Sequence, residues 1–491
     1  MTSTGPAVDK LDLKNIQGDI LSGLPKKTEF YYFFNITDGP EFRKDLCDLV
    51  PLITTVDQVL KDRKRIDDHK KQKLPGLVPL TGVNISFSHL GFVKLKINDD
   101  TLSANPASRT DAFTVGQKKD AVTTLGDPAR PDGQPDWDDS FLKNEIHGLF
   151  IISGESIESI EKKKREVNKI FGVGSEKASI KEIKTIKGDV RPGDLHAHEH
   201  FGFLDGISNP VIKGFDKDVN PGPPVVDPGV IVTGHTGDEA KDRRQDWAKD
   251  GSFLAFRWLD QLVPEFDKYL VDNALKEDGN GQTLTPEQGA ELLGARMVGR
   301  WKSGAPIDLV PFKDDPQLAK DPKRNNNFHY ADEINSQLRC PFAAHVRKTN
   351  PRNDLEGRPN GVSIPVAPNR IMRRGIQFGK EVTKEEKESA TTKLPRGLLF
   401  ACYQTNLEKG FQFIQQSKVS FGHADSRTSK AHDNHIRLDP IVGQGNRVMS
   451  GLDPLDPKKE LSMPAFVVPR GGEYFFTPSL KGLKNTIAVA A

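Results

Sequence analysis

Long apolar runs are missing from these 491 residues. A membrane-spanning helix needs about 20 consecutive apolar residues, and the strongest apolar stretches, Gly148–Ile152 and Gly397–Cys402, are only strand-sized. Cysteine is scarce. Cys47, Cys340 and Cys402 are too few and too scattered for a disulfide framework. Neither sign of charge is in excess: a net +2 offers no dense basic surface for nucleic acid or for a membrane face. The basic runs Lys61–Lys73 and Lys162–Arg165 are broken or flanked by acids, as solvated helix faces are. Several chemistries lack their motifs. There is no complete Gly-x-Gly-x-x-Gly, no phosphate-binding P-loop, no His-Glu-x-x-His and no Cys-x-x-Cys. Met1–Lys10 has no apolar signal core, so the expectation is either an intracellular protein or a mature chain whose targeting segment has been removed. The sequons at Asn35 and Asn84 sit in or beside expected strands and add little support for secretion.

What is present is an ordinary globular composition, 35% hydrophobic and 28% charged, long enough for two or three domains. Five aromatics in a row, Phe30–Phe34, predict a buried strand. Val83–Phe87 alternates as a half-buried strand does, and Gly148–Ile152 is a third. Ile157–Phe171 carries helical spacing and ends at Gly172, a C-cap residue. A long Pro-, Gly- and Asp-rich loop is expected over 210–250, a strand over Ser252–Leu259, a helix over 285–300 and a polar insertion over 303–335. Strand signals return at Gly397–Tyr403, Pro464–Val468 and Tyr474–Phe476. The mixture reads as α+β with antiparallel sheets.

Four segments carry candidate chemistry. His196, His198 and His200 alternate. On a strand they would share one face, with Glu199 and Asp205 as further oxygen donors to a metal; the alternative is packing histidines beside a polar site. Gly202-Phe203-Leu204-Asp205-Gly206 frames an acid with glycines, which leaves a carboxylate unobstructed or simply makes a turn. The stretch Cys340–Lys348 offers a thiolate at Cys340 or an imidazole at His345 for an iron centre, against a satisfied core histidine. Arg373 and Arg374 on a strand would point to opposite faces, one of them into a buried site.

Together with Leu13-x-Asn15-Ile16-Gln17-Gly18-Asp19-Ile20-Leu21 and Gly397–Tyr403, these segments resemble the fungal dye-decolorizing peroxidases in order and spacing. The match extends through His200–Pro210, Ala344–Arg352 and Ile371–Ile376. The resemblance implies two ferredoxin-like α+β domains, 1–200 and 201–491, with one haem b in the C-terminal half. It implies His345 as proximal iron ligand, with Asp439 accepting its other ring proton. It implies Asp205 and Arg373 as the distal pair that activates hydrogen peroxide. Arg352 would pair with a haem propionate. Gly206, Ile207, Leu398 and Phe400 would contact the cofactor or wall the distal pocket, and Cys340 would be a bystander. The reductants would be dyes, phenols or related aromatics, or manganese(II). The protein would be secreted, as a monomer or a homodimer. Two other functions compete: a non-haem metal protein on His196, His198 and His200, and a haem carrier without catalysis.

The chain departs from the family where electrons usually leave. Many relatives have Tyr where this sequence has Phe378, and a surface Trp shortly after the Ile-Gln-Gln segment, where this chain has Ser417 and Lys418. With only six Tyr and four Trp in all, Tyr403 is the expected relay, followed by Trp258 and Tyr330.

Overall fold

The computed structural model describes residues 9–102, 111–333, 336–355, 365–416 and 439–489. The aromatic run becomes β1, Thr28–Ile36. Its aromatic stretch Phe30–Phe34 is unbroken because both faces of the strand are buried. Phe30, Tyr32, Phe34 and Ile36 enter one core, and Tyr31 and Phe33 enter another. Three more strands follow: β2 (Thr81–Phe87), β3 (Gly148–Gly154) and β4 (Ile180–Asp189). The helix Ile157–Ile170 begins with a capping box at Ser156 and ends where Gly172 takes φ +64°.

The second half repeats the plan. Its strands are β5 (Ser252–Gln261), β6 (Met372–Arg373), β7 (Ile376–Gly379), β8 (Arg396–Gln404) and β9 (Val467–Thr477). The first half runs β4-β1-β3-β2 and the second β9-β5-β8, with β6 and β7 both on β8. Each is the ferredoxin-like order, and all the pairings between these strands are antiparallel. The halves share one nine-stranded sheet, because β9 pairs with β5 and touches β2 at Phe476 and Phe87. At its other end the sheet curls back: Gly188 of β4 lies against Ile376 of β7 so closely that a Cβ there would stand 2.3 Å from the Ile376 side chain. The expected boundary at residue 200 falls in the turns between β4 and β5.

Two local expectations change. The end of the Pro464–Val468 signal, Val467 and Val468, and Tyr474–Phe476 belong to a single strand, whose register shifts between Pro469 and Gly471. The residues between them, Arg470-Gly471-Gly472, hide the continuity in the sequence. His196–His200 is not a strand: Pro192 and Gly193 start a 3-10 turn, and His198 makes only an isolated bridge to Leu204.

The barrel interior is filled from both halves, by Tyr31, Phe33, Leu254, Phe256, Leu399 and Tyr403 among others. On the outer face of the second half, Arg257, Leu259 and Gln261 of β5 and Leu398 and Phe400 of β8 form the floor of a cavity. The helices Val263–Asp272 and Pro286–Val298 build the third core with Phe201 and Phe203 beside it.

Candidate active site

The cavity has a volume of about 260 Å³, and His345, Asp205 and Arg373 all open onto it. Asp205 sits in a turn that two glycines permit, Gly202 at φ +94° and Gly206 at φ +77°. Its Oδ1 accepts from the Gly206 backbone N–H at 2.6 Å and from Arg373 Nη1 at 2.6 Å. Arg373 is fixed in turn. Its backbone N–H donates to Asn209 Oδ1 at 3.1 Å and its Nη2 to the Ser208 carbonyl at 3.3 Å. The two side chains keep 31% and 34% of their surface, and that surface faces the cavity. Burial alone would raise the Asp205 pKa, but the Arg373 guanidinium outweighs it and holds the carboxyl below its ordinary value.

His345 opens the short helix His345–Thr349. Its Nδ1 lies 2.9 Å from Asp439 Oδ2, and a carboxylate can only accept, so Nδ1 carries the proton and the lone pair is left at Nε2. Asp439 is fully buried, and its Oδ1 takes the backbone N–H groups of Ile441 (2.8 Å) and Val442 (3.1 Å). Burial opposes a charged imidazole, yet the Asp439 carboxylate prevails and raises the proton affinity of His345.

The other expected residues divide. Gly206, Ile207, Leu398 and Phe400 line the cavity. Cys340 does not. Its thiol is buried outside the cavity lining, and burial pushes its pKa up to about 12. Arg352 stands behind the wall. Its guanidinium donates to the carbonyls of Gly222, Asn326 and Phe328 and to Asn326 Oδ1, and lies over the Phe328 ring at 3.9 Å. The arginine at the wall is its neighbour Arg300, which shares Asn326 Oδ1 with it, so the expected direct reach of Arg352 to a propionate is not offered by this arrangement. Tyr403 is wholly buried on the opposite face of β8 and donates to Asp19 Oδ2 at 3.0 Å. Tyr403 therefore presents no surface to a donor, and Tyr330 is equally buried. Lys418 and Ser417 lie outside the described residues.

The histidine cluster is not assembled. His200 Nε2 is bound to the Phe378 carbonyl at 2.8 Å, and burial pushes its pKa down to about 4. Among the described residues, no three His, Cys, Asp or Glu side chains converge on a metal position. Glu199, weighed above as a metal donor, serves as a clamp. Partly buried at the cavity wall, it accepts from Phe201 N–H (2.9 Å), Phe203 N–H (2.8 Å) and Gln261 Nε2 (2.5 Å), and so fixes the turn that carries Asp205. Sequence reasoning missed this clamp and the Asn209 support. The only signal was their position within the Glu199–Asn209 stretch.

This division of labour around one cavity has close parallels. Residues 15–192 match the family model described as the DyP dimeric alpha+beta barrel domain, and residues 196–434 match the Dyp-type peroxidase C-terminal model. A dye-decolorizing peroxidase of Mycena epipterygia is 42% identical over 99% of this chain and 90% of its own. The structure of an ancestral D-type dye-decolorizing peroxidase is 55% identical and superposes with a TM-score of 0.87, covering 98% of this chain and 100% of that one. Another dye-decolorizing peroxidase, solved in complex with 2,6-dimethoxyphenol, is 41% identical with a TM-score of 0.84 over 98% of this chain and 100% of that one. Matched through both halves by family models and relatives alike, the chain belongs to the dye-decolorizing peroxidases, oxidoreductases that use hydrogen peroxide.

Proposed function

We propose that the cavity binds one haem b, that His345 Nε2 is its protein ligand, and that Asp205 and Arg373 activate hydrogen peroxide on the other side. The observation that carries this is the single cavity onto which an oriented imidazole and an Asp–Arg pair both open. The fit rests on the donor set: one imidazole with Nε2 free, apolar walls at Leu259, Leu398 and Phe400, and the cations Arg300 and Arg370 in the lining, whose charge suits the propionates. Haem, when bound, supplies the iron at which the O–O bond is broken and the oxidising equivalents are held.

The protein's part is proton handling. Asp205, kept ionised by Arg373, takes the proton from the near oxygen of peroxide and delivers it to the far oxygen, which leaves as water. Arg373 offsets the negative charge that grows on the departing oxygen. Asp439 holds the His345 ring in one tautomer and strengthens its lone pair. A haem carrier needs no distal acid–base pair, so the ion pair favours catalysis over carriage.

The reductants in this reading are dyes, phenols and related aromatics; 2,6-dimethoxyphenol is bound by a relative of the same fold. Manganese(II) has no support in a cluster of carboxylates among the described residues. The barrel model's description as dimeric favours a homodimer over a monomer. In this reading the protein is secreted, as the family resemblance implies; among the described residues no helix is long and apolar enough to cross a membrane. The test is spectroscopic. The purified protein should show a Soret band that His345→Ala abolishes or displaces, and it should oxidise a small phenol with peroxide. A Soret band unchanged in His345→Ala would overturn the ligand assignment, and no phenol oxidation would leave the carrier.

A further inference from the structure

Donors larger than the cavity must give up their electrons at the surface, and few side chains can pass them on. The ten Tyr and Trp residues of the chain all lie among the described residues. Tyr31, Tyr32, Tyr330, Tyr403 and Tyr474 are buried, as are Trp137, Trp247 and Trp301. Only Trp258 and Tyr269 retain appreciable surface. Tyr269 donates its hydroxyl to the Ser462 carbonyl, which cannot take a proton, and neither Lys268 nor Leu270 lines the cavity. Trp258 stands in the middle of β5, and both its neighbours, Arg257 and Leu259, line the cavity. Its indole thus lies directly behind the cavity floor, on the other face of the same strand.

The surroundings single out the same residue. The Phe378 ring, at the position where many relatives have Tyr, lies 6.3 Å from the indole, and Phe141 lies 6.3 Å away as well. The indole Nε1 is buried and has no hydrogen-bond partner. The ammonium of Lys184 sits 4.5 Å from the ring centroid, with Asp138 Oδ1 3.0 Å from that ammonium. A cation over the ring makes removal of an electron harder, so the oxidised indole is a stronger oxidant.

We propose that Trp258 is the site at which aromatic donors too large for the cavity are oxidised, an inference that rests on the haem peroxidase reading above. Trp258 gives one electron to the centre that peroxide has oxidised and becomes a radical cation. Its Nε1 proton stays in place because no acceptor faces it. The donor returns one electron to the indole. Two donor molecules lose one electron each for every peroxide, which takes up two electrons and two protons to give two waters.

The experiment treats the holoenzyme with peroxide in the absence of donor and reads the protein radical by freeze-quench electron paramagnetic resonance, with indole-deuterated tryptophan to identify the signal. Turnover of a sulfonated anthraquinone dye is compared with that of a small phenol. Trp258→Phe should abolish the tryptophan signal and lower the dye-to-phenol ratio by about tenfold, a barrier increase of ~1.4 kcal/mol. Tyr269→Phe should change neither. A tryptophan signal that survives Trp258→Phe, or an unchanged ratio, overturns the assignment while the peroxidase reading stands. Wild-type holoenzyme that oxidises neither donor overturns both.

Discussion

Arg373 and Arg374 are consecutive, yet their guanidinium groups lie on opposite sides of the strand edge. Arg373 pairs with Asp205 at the cavity wall, while Arg374 turns inward to the carbonyls of Asp19 and Leu21. Their replacements should separate chemistry from stability. Arg373→Leu should slow peroxide activation ~10²–10⁴-fold with little loss of stability, read by stopped-flow absorbance. Arg374→Leu leaves buried carbonyls without a donor and should cost about 2–4 kcal/mol of stability, read by denaturant melts. A variant pair with the opposite pattern would reverse the two roles.

The pH dependence of activation should follow Asp205. A free Asp titrates near ~3.9, and Arg373 holds Asp205 lower despite burial. The base therefore stays ionised as pH falls through the ordinary carboxylate range, and activation should persist into strong acid. Removing the guanidinium takes away the main influence that opposes burial, so in Arg373→Leu the acid limb should move to higher pH. Asp205→Asn cannot accept a proton and should be slow at every pH. Single-turnover rates across pH check all three, and an acid limb in Arg373→Leu that does not move would show that the carboxylate is not the titrating base.

Asp439→Asn should weaken the imidazole donor. Outer partners of this kind are worth about 10–100-fold in metal affinity, so haem should be lost correspondingly faster to an apo-globin trap. The iron reduction potential should rise, because a less basic imidazole favours the oxidised state less. Unchanged potential and unchanged retention would mean that the Asp439 contact only orients the loop at Ile441 and Val442.

Tyr403→Phe removes a buried hydroxyl from the Asp19 carboxylate. It should cost about 1.5–3 kcal/mol of stability and leave the dye-to-phenol turnover ratio unchanged. A lowered ratio would restore Tyr403 as a relay.

Much of the strand pattern was legible because apolar periodicity is local. Phe30–Phe34, Val83–Phe87 and Gly148–Ile152 all lie within strands. The site was legible only through the resemblance, since Asp205 and Arg373 meet across 168 positions of chain and no spacing rule joins them. What failed was side-chain direction and burial. Strand alternation already sets Tyr403 on the face opposite Leu398 and Phe400, but it does not say that this face is the closed barrel core rather than surface. The alternation of His196, His198 and His200 suggested a shared face, but Pro192-Gly193 had already turned the chain. The setting of Trp258 was invisible for a different reason. Lys184, Phe141 and Phe378 reach it only when the sheet curls up.

The strand Val467–Thr477 pairs with β5 and meets β2 at Phe87. On the ribosome the first four strands emerge long before it, so the outer edge of β2 stays bare through most of synthesis. Such an edge invites pairing with other nascent chains. The cavity floor likewise lacks its neighbouring strand until residue 477 is made. Assembly is therefore paced by late translation, and slowing or truncating synthesis ahead of this strand should favour aggregation over merely partial activity.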